Sequence, residues 1–391
     1  MKEREFRDLL LSQVSAFEEE VIRLNDYMAE NPETGSEEYN SSQRMVDLLR
    51  KYGIEVEYPF AGFDTAFKGV INPEKERRMA LLAEYDALRG LGHACGHCAS
   101  GSASVLAALA LNQVKDRLDF GVDIIGTPDE EINGDKCVMA DQGVFDGYDF
   151  AIMVHMGGFS TAEVSFIALD GLGFKWHGKP AHAAAAPQEG RNALNAARLF
   201  MDATDMMRQH VIQEARMHGF IKNGGSASNI VPDFTEIEFL TRAPRREDLN
   251  DITEWVRECA QAAAMATRTE VEMFLVGAPF HELHISQLGK ATMEECFEDL
   301  NIDYVKGESA MTGSSDIGNV DYRCPAFHPV MSIGKNYQPH TKEFAGEMTG
   351  CGAHKAIVNS ADYMLTMAAK LYTNEELLAK IKAEHKAYRG Y

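Results

Sequence analysis

Positive charge is what this chain has least of: 38 lysines and arginines stand against 60 aspartates and glutamates, a formal net charge of -22 over 391 residues. So acidic a surface repels phosphate backbones and anionic membranes, which argues against nucleic acid or membrane as partner. An anionic substrate would need local positive charge, from a metal ion or an arginine. Cysteine is also sparse. Seven, odd in number and irregularly placed, are too few for a disulfide scaffold at this length, so reduced thiols are expected. No uninterrupted apolar run approaches the roughly 18–20 residues of a membrane span, and Met1-Lys2-Glu3-Arg4-Glu5-Phe6 lacks the basic-then-apolar order of a signal peptide. The expectation is a cytoplasmic enzyme.

What is present is ordinary globular composition, 45% hydrophobic and 25% charged. Length alone predicts two or three compact units. Phe6, Leu10, Phe17, Val21, Leu24 and Met28 recur at helical spacing and predict one helix that Asn31-Pro32 ends. Thr34 and Glu37 resemble a capping box opening a second helix towards Gly53. Apolar runs at 66–71, 79–83, 122–125 and 151–154 read as strands, alternating with helical patterns at 99–114 and near 137–144. That order predicts an α/β fold, a mostly parallel sheet flanked by helices. Three of these strands run into polar residues: Glu84-Tyr85-Asp86, Thr127 to Glu131, and His155. Open α/β sheets bind ligands beyond the carboxyl ends of their strands, so these groups should converge. From 172 to 279 the texture changes to strand, helix, one or more strands, helix, strand, which predicts an inserted α+β sandwich. Residues 1–171 and 280–391 would then form one discontinuous catalytic domain. After the insert, 285–300 and 351–372 read as helices and 330–333 as a core strand running towards His340, while the charged tail shows no distinctive pattern.

The densest chemistry lies in Gly92-His93-Ala94-Cys95-Gly96-His97-Cys98, two histidines and two cysteines in seven residues. Thiolate and imidazole suit a transition metal, and the two glycines place the ligands on a loop before a helix. Taken alone, Cys95 and His97 are better explained as a buried small hydrophobe and a satisfied loop histidine, so the pair by itself decides little. Glu130 and Glu131 are adjacent carboxylates after a strand, and such neighbours point in different directions. One can bind metal while the other takes a proton from water polarised by that metal. His155 and His340 each follow a strand and are weak signals singly. Their force is joint: Cys95, His97, Glu130, Glu131, His155 and His340 would all lie on one rim of a parallel sheet, a set sufficient for two divalent ions if one ligand bridges.

The chain resembles the co-catalytic metal amidohydrolases of the glutamate carboxypeptidase and aminoacylase family, peptidase family M20, and within it the branch of auxin-conjugate hydrolases, aminobenzoyl-glutamate hydrolases and related dipeptidases. Seven ordered motifs carry the resemblance: Leu82 to Leu88, Gly92 to His97, Pro128 to Glu131, Val154-His155, Gly178 to Ala184, Gly224 to Pro232, and Tyr337 to Phe344. It implies a metal-dependent exopeptidase fold with an inserted lid and dimerisation domain, 172–279. It implies Cys95, His97, Glu131, His155 and His340 as ligands of two divalent ions per subunit, with Cys95 bridging. Zinc is expected, with manganese or cobalt as alternatives. Glu130 is implied as general base, and Asp86 as the group that orients a ligand. His182 is implied to stabilise the tetrahedral oxyanion, reaching a neighbouring subunit's site. Asn229 and Arg242 would clamp the substrate carboxylate, and Gly313-Ser314-Ser315-Asp316 resembles a substrate-contacting loop. The implied activity is hydrolysis of an amide in an N-acyl amino acid, an aminobenzoyl-glutamate-like conjugate or a dipeptide, by a homodimer or tetramer. Independently of the family, Arg242 on a strand of an acidic protein suits bidentate recognition of a carboxylate.

Three departures stand out. Glu84 occupies a position where other branches carry histidine, and Cys98 stands where Asp or Asn is usual. The thiol is expected either to weaken the metal's surroundings or to approach a metal itself. Arg89 replaces a more usual proline. Two competing functions are a thiol hydrolase with Cys95 as nucleophile and His97 as base, and a non-catalytic relative that binds metal or peptide.

Overall fold

The computed structural model describes residues 2–307 and 312–390. The chain divides into two units, Met1–Ser165 with Leu283–Tyr391, and Phe166–Glu282. In the first, six strands form one sheet in the order Glu55–Glu57, Phe67–Ile71, Gly121–Gly126, Arg78–Ala83, Phe150–Ile152, Ala326–Phe327. The last four run parallel and the first two are antiparallel additions at one edge. A short parallel pair, His155–Gly157 with Val330–Ser332, lies beyond it in sequence. Gly121–Gly126 is buried at every position and Arg78–Ala83 at all but the first. Helices cover both faces of a parallel sheet, so its central strands are largely apolar; buried Asp123 is the exception in Gly121–Gly126, paired with Arg78 and Lys68.

The helix His97–Gln113 is buried from His97 through Leu111. Small residues let it lie this deep. A Cβ on Gly101 would fall 2.2 Å from the Glu84 carbonyl oxygen. Ser104 Oγ donates to the Leu82 carbonyl (2.6 Å) and Ser100 Oγ to the Val154 carbonyl (2.7 Å). The helix is thereby tied to the carboxyl ends of two segments, the ones that lead into Glu84 and His155.

Three features differ from the sequence pattern. The first helix is two, Glu3–Leu11 and Glu18–Glu30, with a 3-10 turn at Val14–Ala16 between them. Ser12 Oγ bonds back to the Leu9 carbonyl (2.7 Å) and competes with the helical ladder there. The second helix begins at Tyr39, because Thr34 Oγ1 bonds the Glu37 carboxylate itself (3.0 Å) within a turn. The tail is a helix, Glu375–Arg389, capped by Asn374 and closed by left-handed Gly390.

The second unit is a four-stranded antiparallel sheet, ordered Glu270–Leu275, Ala168–His177, Phe234–Ala243, Arg216–Asn223. Phe234–Ala243 alternates strictly between buried and half-buried residues, the signature of a sheet covered on one face. Helices Ala193–Met207 and Arg246–Thr267 pack on that face around Phe174, Trp176, Phe200, Phe239 and Val256. Among the described residues, no helix is long and apolar enough to cross a membrane.

Candidate metal centre

Strand ends and one helix start bring the chemistry together. Glu84 and Asp86 follow Arg78–Ala83, Glu130 and Glu131 follow Gly121–Gly126, and His155 opens its own short strand. His97 is the first residue of its helix rather than part of the preceding loop, a correction to the sequence expectation. Gly96 makes that junction. Its φ is 83°, and a Cβ there would fall 2.7 Å from Met156 Cβ, so glycine alone meets both demands. His340 also sits in the left-handed region, at φ 65°, anchored by its N–H to the Ala94 carbonyl (2.7 Å).

The ligand atoms of Cys95, His97 and His155 lie within 4.8 Å of one another, as do those of Cys95, Glu131 and His340, and those of His97, Glu130 and Glu131. Cys95 joins the two trios that between them contain every ligand the family pattern implies. Each imidazole is presented for coordination. His97 Nδ1 donates to Asp86 Oδ1 (2.8 Å) and His155 Nδ1 to the Met156 carbonyl (2.8 Å), which leaves both Nε2 lone pairs turned to the centre. Asp86 has a second task, since its Oδ2 accepts the Glu131 N–H (3.0 Å). His155 Nε2 stands 3.3 Å from Cys95 Sγ, and His340 Nε2 stands 3.5 Å from Glu131 Oε1.

These residues fit a pair of divalent cations. His97 Nε2 is buried without a hydrogen-bond partner, a costly state that an ion would relieve. Thiolate, imidazole and carboxylate are the donor set such ions take. Burial drives the Cys95 thiol well up from its ordinary value, and a nearby dication is what deprotonates such a thiol. Burial, then repulsion from Asp316, Glu84 and Glu131, raises the Glu130 carboxyl well above its ordinary range. Burial opposes the charge on Glu131 too, but hydrogen bonding to His340 and the neighbouring histidines hold it at about 2.

Cys98 is not part of the centre. It lies in the hydrophobic core, its N–H donates to His93 Nδ1 (3.3 Å), and burial pushes its thiol up to about 12. His93 is likewise buried and structural, pushed down to about 4 chiefly by burial.

Sequence patterning does not single out three further groups. Lys136 is wholly buried between Glu84 and Asp316, and buried His328 stacks on His155 with ring centroids 5.3 Å apart. Asp129, at φ 54°, turns the chain into Glu130, and its carboxylate accepts from Ser36 Oγ (2.5 Å) and the Asn133 N–H (3.1 Å). The one available signal for Lys136 was its place on a helix that otherwise buries Cys137, Met139 and Ala140.

His182, Asn229 and Arg242 belong to the second unit. His182 is exposed, and its Nδ1 accepts the Ala184 (3.2 Å) and Ala185 (3.1 Å) N–H groups. That fixes the ring proton on Nε2, which is left as an outward donor. Asn229 is exposed, and its backbone carbonyl accepts the Ala183 N–H (3.0 Å). Arg242 is half-buried in strand register between Leu169 and Arg216. Gly313 ends the short strand Thr312–Gly313, and Ser314 and Ser315 lead to Asp316 at the start of helix Ile317–Asp321.

The family model described as Peptidase family M20/M25/M40 matches residues 73–345. The chain belongs to peptidase family M20. It is a hydrolase of amide bonds. The mouse Xaa-Arg dipeptidase is 30% identical over 341 residues, spanning 84% of this chain and 79% of that protein. A p-aminobenzoyl-glutamate hydrolase polypeptide of Escherichia coli is 27% identical, spanning 92% of this chain and 90% of its own. Among solved structures, an aminobenzoyl-glutamate utilization protein from Klebsiella pneumoniae superposes with a TM-score of 0.76 at 16% identity, covering 92% of this chain and 98% of its own. A dinuclear metal-binding peptidase of the M20 family from Bacillus subtilis gives 0.69 at 19%, covering 91% and 99%. At such identities the two structures establish the shared α/β fold.

Proposed function

We propose that this M20 enzyme hydrolyses the amide bond of a dipeptide, N-acyl amino acid or aminobenzoyl-glutamate-like conjugate that ends in a free carboxylate. The observation that carries the reading is the pair of ligand trios sharing Cys95, with Glu130 beside them. Cys95, His97 and His155 would hold one divalent ion, and Cys95, Glu131 and His340 the other. Zinc is the metal proposed, because the shared donor is a thiolate. When bound, the ions supply Lewis acidity to a water and to the scissile carbonyl. Glu130 takes the proton of that water as its oxygen adds to the carbonyl carbon, then delivers it to the departing amine nitrogen as the C–N bond breaks. The His182 Nε2–H donates to the oxyanion, in a neighbouring subunit's site. Arg242 and Asn229 clamp the terminal carboxylate.

Names of relatives support the substrate class, since both an Xaa-Arg dipeptide and p-aminobenzoyl-glutamate end in a carboxylate. The test is a panel of dipeptides, N-acyl amino acids and p-aminobenzoyl-glutamate, each with its carboxyl-amidated form, assayed before and after chelation. Chelation is expected to abolish turnover and added zinc to restore it. Activity that survives complete metal removal and dies on thiol alkylation would instead establish the thiol hydrolase. Arg242→Ala is expected to raise KM for free carboxylates and leave amidated substrates little changed; equal effects on both would remove the clamp.

A homodimer through the second unit is part of the proposal. Its edge strand Arg216–Asn223 exposes Phe220 and Ile221, and its helix Ala193–Met207 exposes Leu199 and Met206. Sedimentation is expected to show a dimer that Phe220→Asp dissociates, and a monomeric parent protein would count against it.

A further inference from the structure

Behind the ligands lies a charged group that hydrolysis as proposed leaves without a task. Lys136 is 0% exposed. Its Nζ stands 2.7 Å from Glu84 Oε1 and 2.7 Å from Asp316 Oδ1, while its backbone N–H donates to the other Asp316 oxygen (3.1 Å). Glu84 then turns its remaining oxygen, Oε2, to within 3.3 Å of His97 Nε2. Asp316 directly follows Gly313-Ser314-Ser315 and immediately precedes the helix Ile317–Asp321. One ammonium therefore sets both the carboxylate that stands beside the ion-facing nitrogen of His97, Glu84, and the root of a serine-bearing segment, Asp316.

Stability alone is a poor explanation. Well-packed apolar residues commonly replace a buried ion pair at no loss, whereas a fixed geometry is what such a group retains. We propose that Lys136 is a positioning residue: its ammonium holds the Glu84 carboxylate beside the ion-facing nitrogen of His97 and Asp316 at the base of the Ser314 segment, keeping the charge next to the ions and the segment in one frame. This rests on the hydrolysis proposed above and adds to it a residue that touches neither ion nor substrate. The clamp acts through its charge, because Nζ meets both carboxylates and the ammonium fixes how far apart they stand.

Three variants test it. Lys136→Met leaves two buried carboxylates without their counter-charge. Lys136→Met with Asp316→Asn removes one charge of each sign and preserves packing volume, so it separates folding from positioning. For the double variant, the expected result is native circular dichroism and a Tm close to the parent's. Zinc affinity of the metal-free protein, measured by competition with a chromogenic chelator, should fall about 10–100-fold, the range for lost outer partners of a ligand. Turnover should fall by a similar factor, with KM within about threefold. In Lys136→Ala, millimolar methylammonium should restore part of the zinc affinity. A double variant with parental zinc affinity and kcat would overturn the clamp and leave Lys136 a packing residue. If the parent hydrolyses nothing on the panel, the proposed activity fails, while zinc affinity still decides the clamp.

Discussion

Glu130→Gln is expected to keep its full metal content and lose on the order of 10²–10⁴-fold in kcat, the range for removal of a general base. The amide keeps the size of the carboxylate and its place beside His97 and Glu131, so the ligand trios are not disturbed. It cannot accept the water's proton, and among the described residues the neighbouring carboxylates are otherwise engaged. Glu131 faces His340, Asp86 is committed to His97 and the Glu131 N–H, and Glu84 faces Lys136. Elemental analysis beside steady-state kinetics checks the expectation. Near-parental turnover would take the base role away from Glu130, and loss of metal would make it a ligand.

Cys95→Ser is expected to cost at least one metal equivalent per chain and, with it, more turnover than the roughly 10–100-fold that loss of an outer partner brings. The reason is positional as well as chemical. Cys95 is the donor common to the His97–His155 and Glu131–His340 trios, so weakening it weakens both. A serine hydroxyl also stays protonated where a thiol yields its proton to a dication. Two equivalents retained by the purified variant would show that Cys95 does not bridge.

Much of the centre was legible because polar residues directly after apolar strands have one place to go. Glu84 and Asp86, Glu130 and Glu131, and His155 all emerge from strands whose apolar runs announce a covered sheet. Lys136 and its tie to Asp316 were not legible for the opposite reason. In sequence, a lysine between an aspartate and a cysteine looks like any solvated charge, and only the fold reveals that its carboxylate partners come from distant segments. Cys98 misled in a related way: one residue past His97, a helix turns its side chain from the centre into the core. In the tail, Leu378, Ile381 and His385 mark a buried helical face and Gly390 its end.

The helix that begins at His97 is enclosed along most of its length and stitched by Ser104 to the end of Arg78–Ala83 and by Ser100 to the residue before His155. A helix buried all round has no stable existence outside the core that surrounds it, so the cradle for the ions is assembled when the domain folds. Loading is then a docking event on a preorganised cage, with little chain left to order as the ions arrive. Metal exchange can accordingly proceed on a native scaffold, and occupancy becomes a variable that the surroundings set without passing through unfolding.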